Sequence, residues 1–336
     1  MLSIRELRDR AVIRPVKRAV EDQLFDLPGV VAVDIGEKRR GGRSTGEQGI
    51  VVSVPRKRPL SQLAAGAGVP ADILGIPTDV IEEEPILHHD HYPGPGPLLR
   101  RRHRDASITV LGCRGIAPCR PVLLGRSEVA VPGGYRRIGT LGALVTGHPP
   151  TAGALGLTTF DVACMDDAWS VGDQMIDPTT GRVYADLARA ALSSRVDAAA
   201  VTISGGHRPP RVIASVGPVA GERSAYPGKG VRKNGYGTGI TDGVVVSTDT
   251  TLRVDHGEAL GVRILREQFR IRAVPVNTRF AGPGDSGAAL VNSDGRIVAL
   301  HLGGSRDGTT GFACPIANVL AELDVEPYLE WKPLPV

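Results

Sequence analysis

The part of the sequence best equipped for chemistry is Gly282-Pro283-Gly284-Asp285-Ser286-Gly287-Ala288-Ala289-Leu290-Val291. Glycines on both sides of Ser286 let the backbone turn sharply and aim its amides at one point. The N–H groups of Gly284 and Ser286 would then form an oxyanion hole, the device that stabilises a tetrahedral intermediate in acyl transfer. The apolar run after the serine would anchor the turn in a β body. Gly-Asp-Ser-Gly alone recurs by chance, so its surroundings decide what it means.

A second group is His88-His89-Asp90-His91 with Cys113 and Cys119, a set that could ligate a metal. Its spacings match no zinc template, and Pro93-Gly94-Pro95-Gly96 offers no rigid platform. The reading preferred is a solvated linker, with no metal or cofactor expected. The run Arg100 to Arg102, His103 and Arg104 carries no interleaved aromatics for base stacking, so it too reads as solvated.

The elements that must hold the serine follow from composition and punctuation. The chain has 336 residues, 43 of them Gly and 26 Pro, with 41% hydrophobic, 23% charged and only 4% aromatic residues. Such a chain suits short strands joined by tight turns better than a helical bundle. Its net charge of +4, with only six Lys among 40 basic residues, is too weak to imply nucleic acid. Met1 to Glu21 is charged throughout and no apolar run nears membrane-spanning length. A cytoplasmic location is therefore expected, with four free thiols and no membrane partner.

Along the chain, Arg14 to Phe25 reads as an amphipathic helix, Val30 to Gly36 and Gly49 to Val54 as strands around a charged hairpin, Leu60 to Ala65 as a short helix, and Thr78 to Glu82 as a last strand. Residues 1–85 would form a small α/β module, structural or partner-binding, and residues 86–107 a linker. From 108 to 330 short apolar segments alternate with Gly and Pro, the rhythm of an all-β barrel or sandwich. Examples are Gly139 to Val145, Val196 to Ile203, Gly243 to Ser247 and Ile297 to Leu302, before a terminal helix from Pro315 to Leu323.

The Gly-Asp-Ser-Gly-Ala-Ala-Leu-Val stretch, followed by Gly295-Arg296-Ile297-Val298-Ala299-Leu300 and Gly303-Gly304-Ser305, resembles the trypsin/chymotrypsin-like serine peptidases. Gly139 to Val145 resembles the strand before the general base, and Val196 to Val201 the acid-bearing strand. Val231 to Gly243 looks like the start of the second barrel in an intracellular bacterial and plant branch with an N-terminal module. The resemblance implies a mostly β, two-barrel chymotrypsin-like fold, preceded by a small α/β module and closed by a short C-terminal helix.

It also assigns roles. Ser286 takes the nucleophile position, Gly284 the oxyanion loop and Asp197 the acid position, while Leu157-Thr158-Thr159-Phe160-Asp161 puts Asp161 where the family has its base histidine. An imidazole titrates near neutrality and can relay a proton; a carboxylate is a poor base for a hydroxyl. Facing Asp197, Asp161 would be expected to repel it, with one of the pair holding a proton. His148 loosely echoes the family's Val-Thr-Ala-x-His and is a substitute base, whereas His207 and His256 read as exposed. The pocket would be walled by Phe280, His301 and Gly303; Phe280 stands where trypsin has a carboxylate, and His301 where glutamate-specific relatives place a histidine.

The expectation is thus a degenerate serine-peptidase fold that binds a peptide or protein. The alternatives are an active endopeptidase using His148 or a partner's base, favouring acidic or Gln side chains, and a weak serine esterase. Homo-oligomerisation stays open.

Overall fold

The computed structural model describes residues 4–41, 43–93, 112–126, 129–147, 153–204, 211–276 and 278–329. Its framework is two extended β bodies with three helices. The first body runs, strand beside strand, through Val325–Pro327, Leu144–Gly147, Ala154–Thr158, Asp197–Ile203, Val183–Leu192, Gln174–Ile176, Arg114–Pro118, Gly133–Leu141 and Asp90–Pro93. The second runs through Gly230–Gly235, Ala289–Val291, Ile297–Ser305, Thr310–Pro315, Val262–Val274 and Gly239–Asp255. This is the mostly β arrangement in two bodies expected from the sequence, with a short helix, Ile316–Leu323, near the C-terminus.

The N-terminal strands extend the second body: Ala32–Arg40 pairs with Gly239–Asp255 on one side and with Arg43–Val54 on the other. Helix α1, Ile4–Phe25, packs Ile13, Leu24 and Phe25 onto Val33, Ile35, Ile50 and Val52. Its polar side is clamped too. Arg14 grips Asp249 through two bonds of 2.5 and 2.9 Å, and Lys17 donates to Thr251 at 2.6 Å. That docking carries the helix ten residues N-terminal of the expected start at Arg14, through Pro15, whose missing N–H costs one helical bond. The helix expected near Leu60 is only a 3-10 turn, Leu60–Gln62, because Pro59 and Gly66 leave too few residues to nucleate more.

Two further corrections shape the site. The segment read as one strand from Gly139 to Val145 breaks into Gly133–Leu141 and Leu144–Gly147. At the break the chain changes partners: Gly142 donates to Leu157 O at 2.8 Å instead of continuing its former ladder. Part of the segment read as a solvated linker is built into both bodies: Pro85–Leu87 pairs with Ile297–Ser305, and Asp90–Pro93 pairs with Gly133–Leu141. Among the described residues no helix is long and apolar enough to cross a membrane. All four cysteines are free thiols.

Candidate active site

Ser286 lies on the turn that leads into Ala289–Val291, at the junction of the two bodies. Gly284 adopts φ +89°, a region open to glycine but strained for other residues, which lets the turn point its amides inward. The turn is held on both sides. Gly287 donates to His301 O and His301 to Ala288 O, each at 2.8 Å, while Thr140 of the first body donates to Ser286 O at 2.7 Å.

The carboxylate of Asp285 locks the turn from below. It accepts from Gly237 N, Thr238 N and Gly282 N at 3.0 Å, from Thr238 Oγ1 at 2.6 Å, and from Lys233 Nζ at 2.8 Å. Both charged side chains are fully buried, so each is tolerable only because of the other. Burial pushes the Lys233 ammonium down, and Asp285 opposes that shift. Lys233 also stands 5.4 Å over the Phe280 ring. Sequence reasoning passed over Lys233, although the alternation Val231, Lys233, Gly235 along its strand marks it as inward-facing.

The inward amides of the turn are already engaged. Gly284 N and Ser286 N donate to the carbonyl of His88 at 2.7 and 3.2 Å. The strand that delivers this carbonyl lies antiparallel to Ile297–Ser305, with Gly303 opposite Leu87, Gly304 opposite Ile86 and Ser305 opposite Pro85. His88 N donates to Leu302 O at 3.1 Å. Gly303 permits the approach: a Cβ there would stand 2.2 Å from Ile86 O.

The His88 side chain enters the pocket, its Nδ1 3.0 Å from His301 Nε2, with Phe280 in an edge contact 6.0 Å from His301. Burial lowers His88 to about 4, with Lys233 and His89 working in the same direction against Asp285 and Ser305. Burial, then His88 and Lys233, holds His301 well below its ordinary value. Both rings are therefore neutral, and one must donate to the other. His301 Nε2 is the atom the pocket presents to His88 Nδ1. Phe280, His301 and Gly303, the wall residues expected from the sequence, are brought together here.

The relay side of the site is different. Strands Ala154–Thr158 and Asp197–Ile203 pair with Thr158 opposite Ala199, which places the one-turn helix Phe160–Ala163 beside Asp197. Asp161 N donates to Asp197 Oδ1 at 3.1 Å. The two carboxylates do not share a proton as expected, because each has its own cationic or imidazole partner. Arg137 Nη1 meets Asp161 Oδ1 at 2.6 Å, His89 Nδ1 meets Asp161 Oδ2 at 2.5 Å, and His256 Nε2 meets Asp197 Oδ2 at 2.9 Å. Arg137 Nη2 closes the circuit on His256 O at 3.0 Å. Burial alone would raise the Asp161 carboxyl, but the charges of His89 and Arg137 outweigh it and hold it below the usual carboxylate range. For His256 burial works against the charged form, yet Asp197 wins and raises it.

His256 corrects the sequence reading: it is 1% exposed, not a solvated loop histidine. The hairpin from Gly239–Asp255 to Val262–Val274 carries it to a partner 59 residues distant in sequence. His88 and His89 were likewise noticed only as metal candidates; among the described residues no three His, Cys, Asp or Glu gather as a metal site would need. His148 and His207 lie outside the described residues.

Ser286 Oγ donates to Leu302 O at 2.7 Å, and among the described residues no imidazole is hydrogen-bonded to it. The constellation offers two converging backbone amides beside Ser286 and a buried contact between His88 and His301. Asp161 is a buried carboxylate pinned by Arg137 and His89.

No protein-family model and no curated protein matches this sequence. Solved structures do. A glutamic acid-specific serine protease, described as using a novel histidine triad in substrate binding, aligns at 18% identity over 65% of this chain and 100% of its own, with a TM-score of 0.48. Thermobifida fusca protease A aligns at 20% identity over 64% and 96%, with a TM-score of 0.45. Cellulomonas bogoriensis chymotrypsin aligns at 21% identity over 65% and 98%, with a TM-score of 0.44.

Proposed function

We propose that this chain is a serine-peptidase-fold protein that binds an extended peptide or protein segment between its two β bodies and does not turn it over efficiently. The observation that carries this reading is the buried pair of Arg137 and Asp161 at 2.6 Å. A base must take the serine proton and return it to the leaving group, so it should titrate near the working pH. A carboxylate held below its ordinary range by His89 and the Arg137 guanidinium does neither.

Peptide binding is supported by what the cleft still offers. Strand Ile297–Ser305 has an edge that pairs with an extended segment, two amides converge on one carbonyl oxygen, and His301 ends a lined pocket. Backbone pairing gives affinity in such a mode and the pocket gives selectivity. His301 Nε2 suits a side chain that can hydrogen-bond it: a carboxylate, an amide or a neutral imidazole.

The preformed oxyanion amides favour a second reading, a slow acyl transfer to Ser286 from activated esters, since such a hole accelerates reaction even without a relay. A fluorophosphonate probe separates the two. No labelling above that of Ser286→Ala supports the binding reading. Rapid stoichiometric labelling that Ser286→Ala abolishes would overturn it.

A further inference from the structure

The segment between the N-terminal module and the first β body holds four consecutive grips on the cleft. Pro85, Ile86 and Leu87 pair with Ser305, Gly304 and Gly303. His88 places its N–H on Leu302 O, its carbonyl on the Gly284 and Ser286 amides, and its ring on His301. His89 meets Asp161 at 2.5 Å. The chain then crosses to the first body, where Asp90, His91 and Tyr92 pair with Ile138, Arg137 and Arg136. One extended segment thus spans both bodies with a peptide bond, His88–His89, set over Ser286. His88 is 1% exposed, as a pocket ligand is and a solvated linker is not.

We infer that Pro85–His91 is the resident ligand of this cleft, and that a partner enters by displacing it as an extended strand. The inference rests on the peptide-binding reading above. It also specifies the partner's chemistry. The pocket position needs an N–H, because His88 N donates to Leu302 O, so proline is excluded there. It needs a side chain that hydrogen-bonds His301 Nε2. The positions that occupy the places of Ile86 and Leu87 need extended backbone, since they bind by strand pairing.

The test uses the full chain and a fluorescent synthetic peptide of the sequence Pro85–His91, with hydrogen exchange followed in segments 85–91 and 282–287. His88→Pro removes both the N–H and the ring; His88→Gly, a milder change, removes only the ring. The wild-type chain should protect both segments and bind the peptide at least tenfold more weakly than His88→Pro, with His88→Gly between them. Adding Gly303→Val to His88→Pro should abolish binding, because its side chain fills the slot of Ile86 O. Equal binding by wild type and both variants, or an unprotected 85–91 segment in the wild type, would overturn the resident strand and leave the peptide-binding reading standing. Release of the strand in the variants without any peptide binding would instead overturn the peptide-binding reading and the displacement with it.

Discussion

Arg137 Nη1 lies 2.6 Å from Asp161 Oδ1, with the two side chains 4% and 0% exposed. The pair is structural in its consequences. Arg137 also donates to the carbonyls of Met165 at 3.2 Å and His256 at 3.0 Å, so one guanidinium ties three segments together. Removing one partner of a buried pair costs about 3–5 kcal/mol when the other charge is left uncompensated; here His89 still meets Asp161 at 2.5 Å. Arg137→Met should therefore destabilise the protein by an amount toward the lower end of that range in denaturant unfolding. Adding Asp161→Asn should recover a good part, and a single-variant loss under about 1 kcal/mol would show that the pair does not form in solution.

The same logic applies to Lys233 and Asp285, both fully buried at 2.8 Å. Here the carboxylate also organises the turn through three backbone amides. Lys233→Met should cost about 3–5 kcal/mol and in addition weaken binding of an extended peptide, because the oxyanion amides lose their fixed direction. Lys233→Met with unchanged peptide affinity would mean that the turn is held without its cation.

How much of this was legible in the sequence depends on the range of the contacts. The Gly284–Ser286 turn could be read because its glycines, its amides and its serine are neighbours in the chain. That Asp161 and Asp197 lie side by side could be anticipated, because each follows or begins a strand and those strands pair. His256 could not, since its burial comes from a long hairpin that delivers it to Asp197. The strand Pro85–Leu87 was missed for a similar reason. Its flanking Pro, Gly and charges describe a linker, and its hydrogen-bond partners lie more than 200 residues downstream. Local composition reports what a segment can do alone, not what edge it will meet.

The seated strand should respond to acid. His88 lies against His301, Asp285, Lys233, His89 and the Ser305 backbone, and burial lowers it from an ordinary 6.5 to about 4. A detached strand takes up a proton below about 6.5, whereas the seated one resists until about 4. The folded-state value is depressed, so the stabilisation is present above 6.5 and is lost as pH falls through about 4. The gap corresponds to about 3 kcal/mol at most. In an NMR titration, His88 should titrate near 4 in the wild type. A midpoint near the ordinary value would place His88 outside the pocket.

The sharpest prediction concerns what the resident strand would become if the base were restored. In Asp161→His the new imidazole would sit at the base position, with the His88 carbonyl already on the Gly284 and Ser286 amides. Its partner, however, is taken: His256 Nε2 holds Asp197 Oδ2 at 2.9 Å, and Arg137 remains beside the new ring. An imidazole without its carboxylate partner is slower by roughly 10⁴-fold, so Asp161→His alone should gain little. Asp161→His with His256→Ala frees Asp197 for the new ring, which also satisfies the buried carboxylate. Ser286 Oγ would then attack the His88 carbonyl carbon, the new imidazole would take the hydroxyl proton and pass it to the His89 nitrogen, and water would release the acyl group. The expected product is self-cleavage into fragments 1–88 and 89–336, read by intact mass and absent when Ser286→Ala is added. A double variant that folds, keeps segment 85–91 protected and stays uncut would show that Asp161 does not stand at the base position.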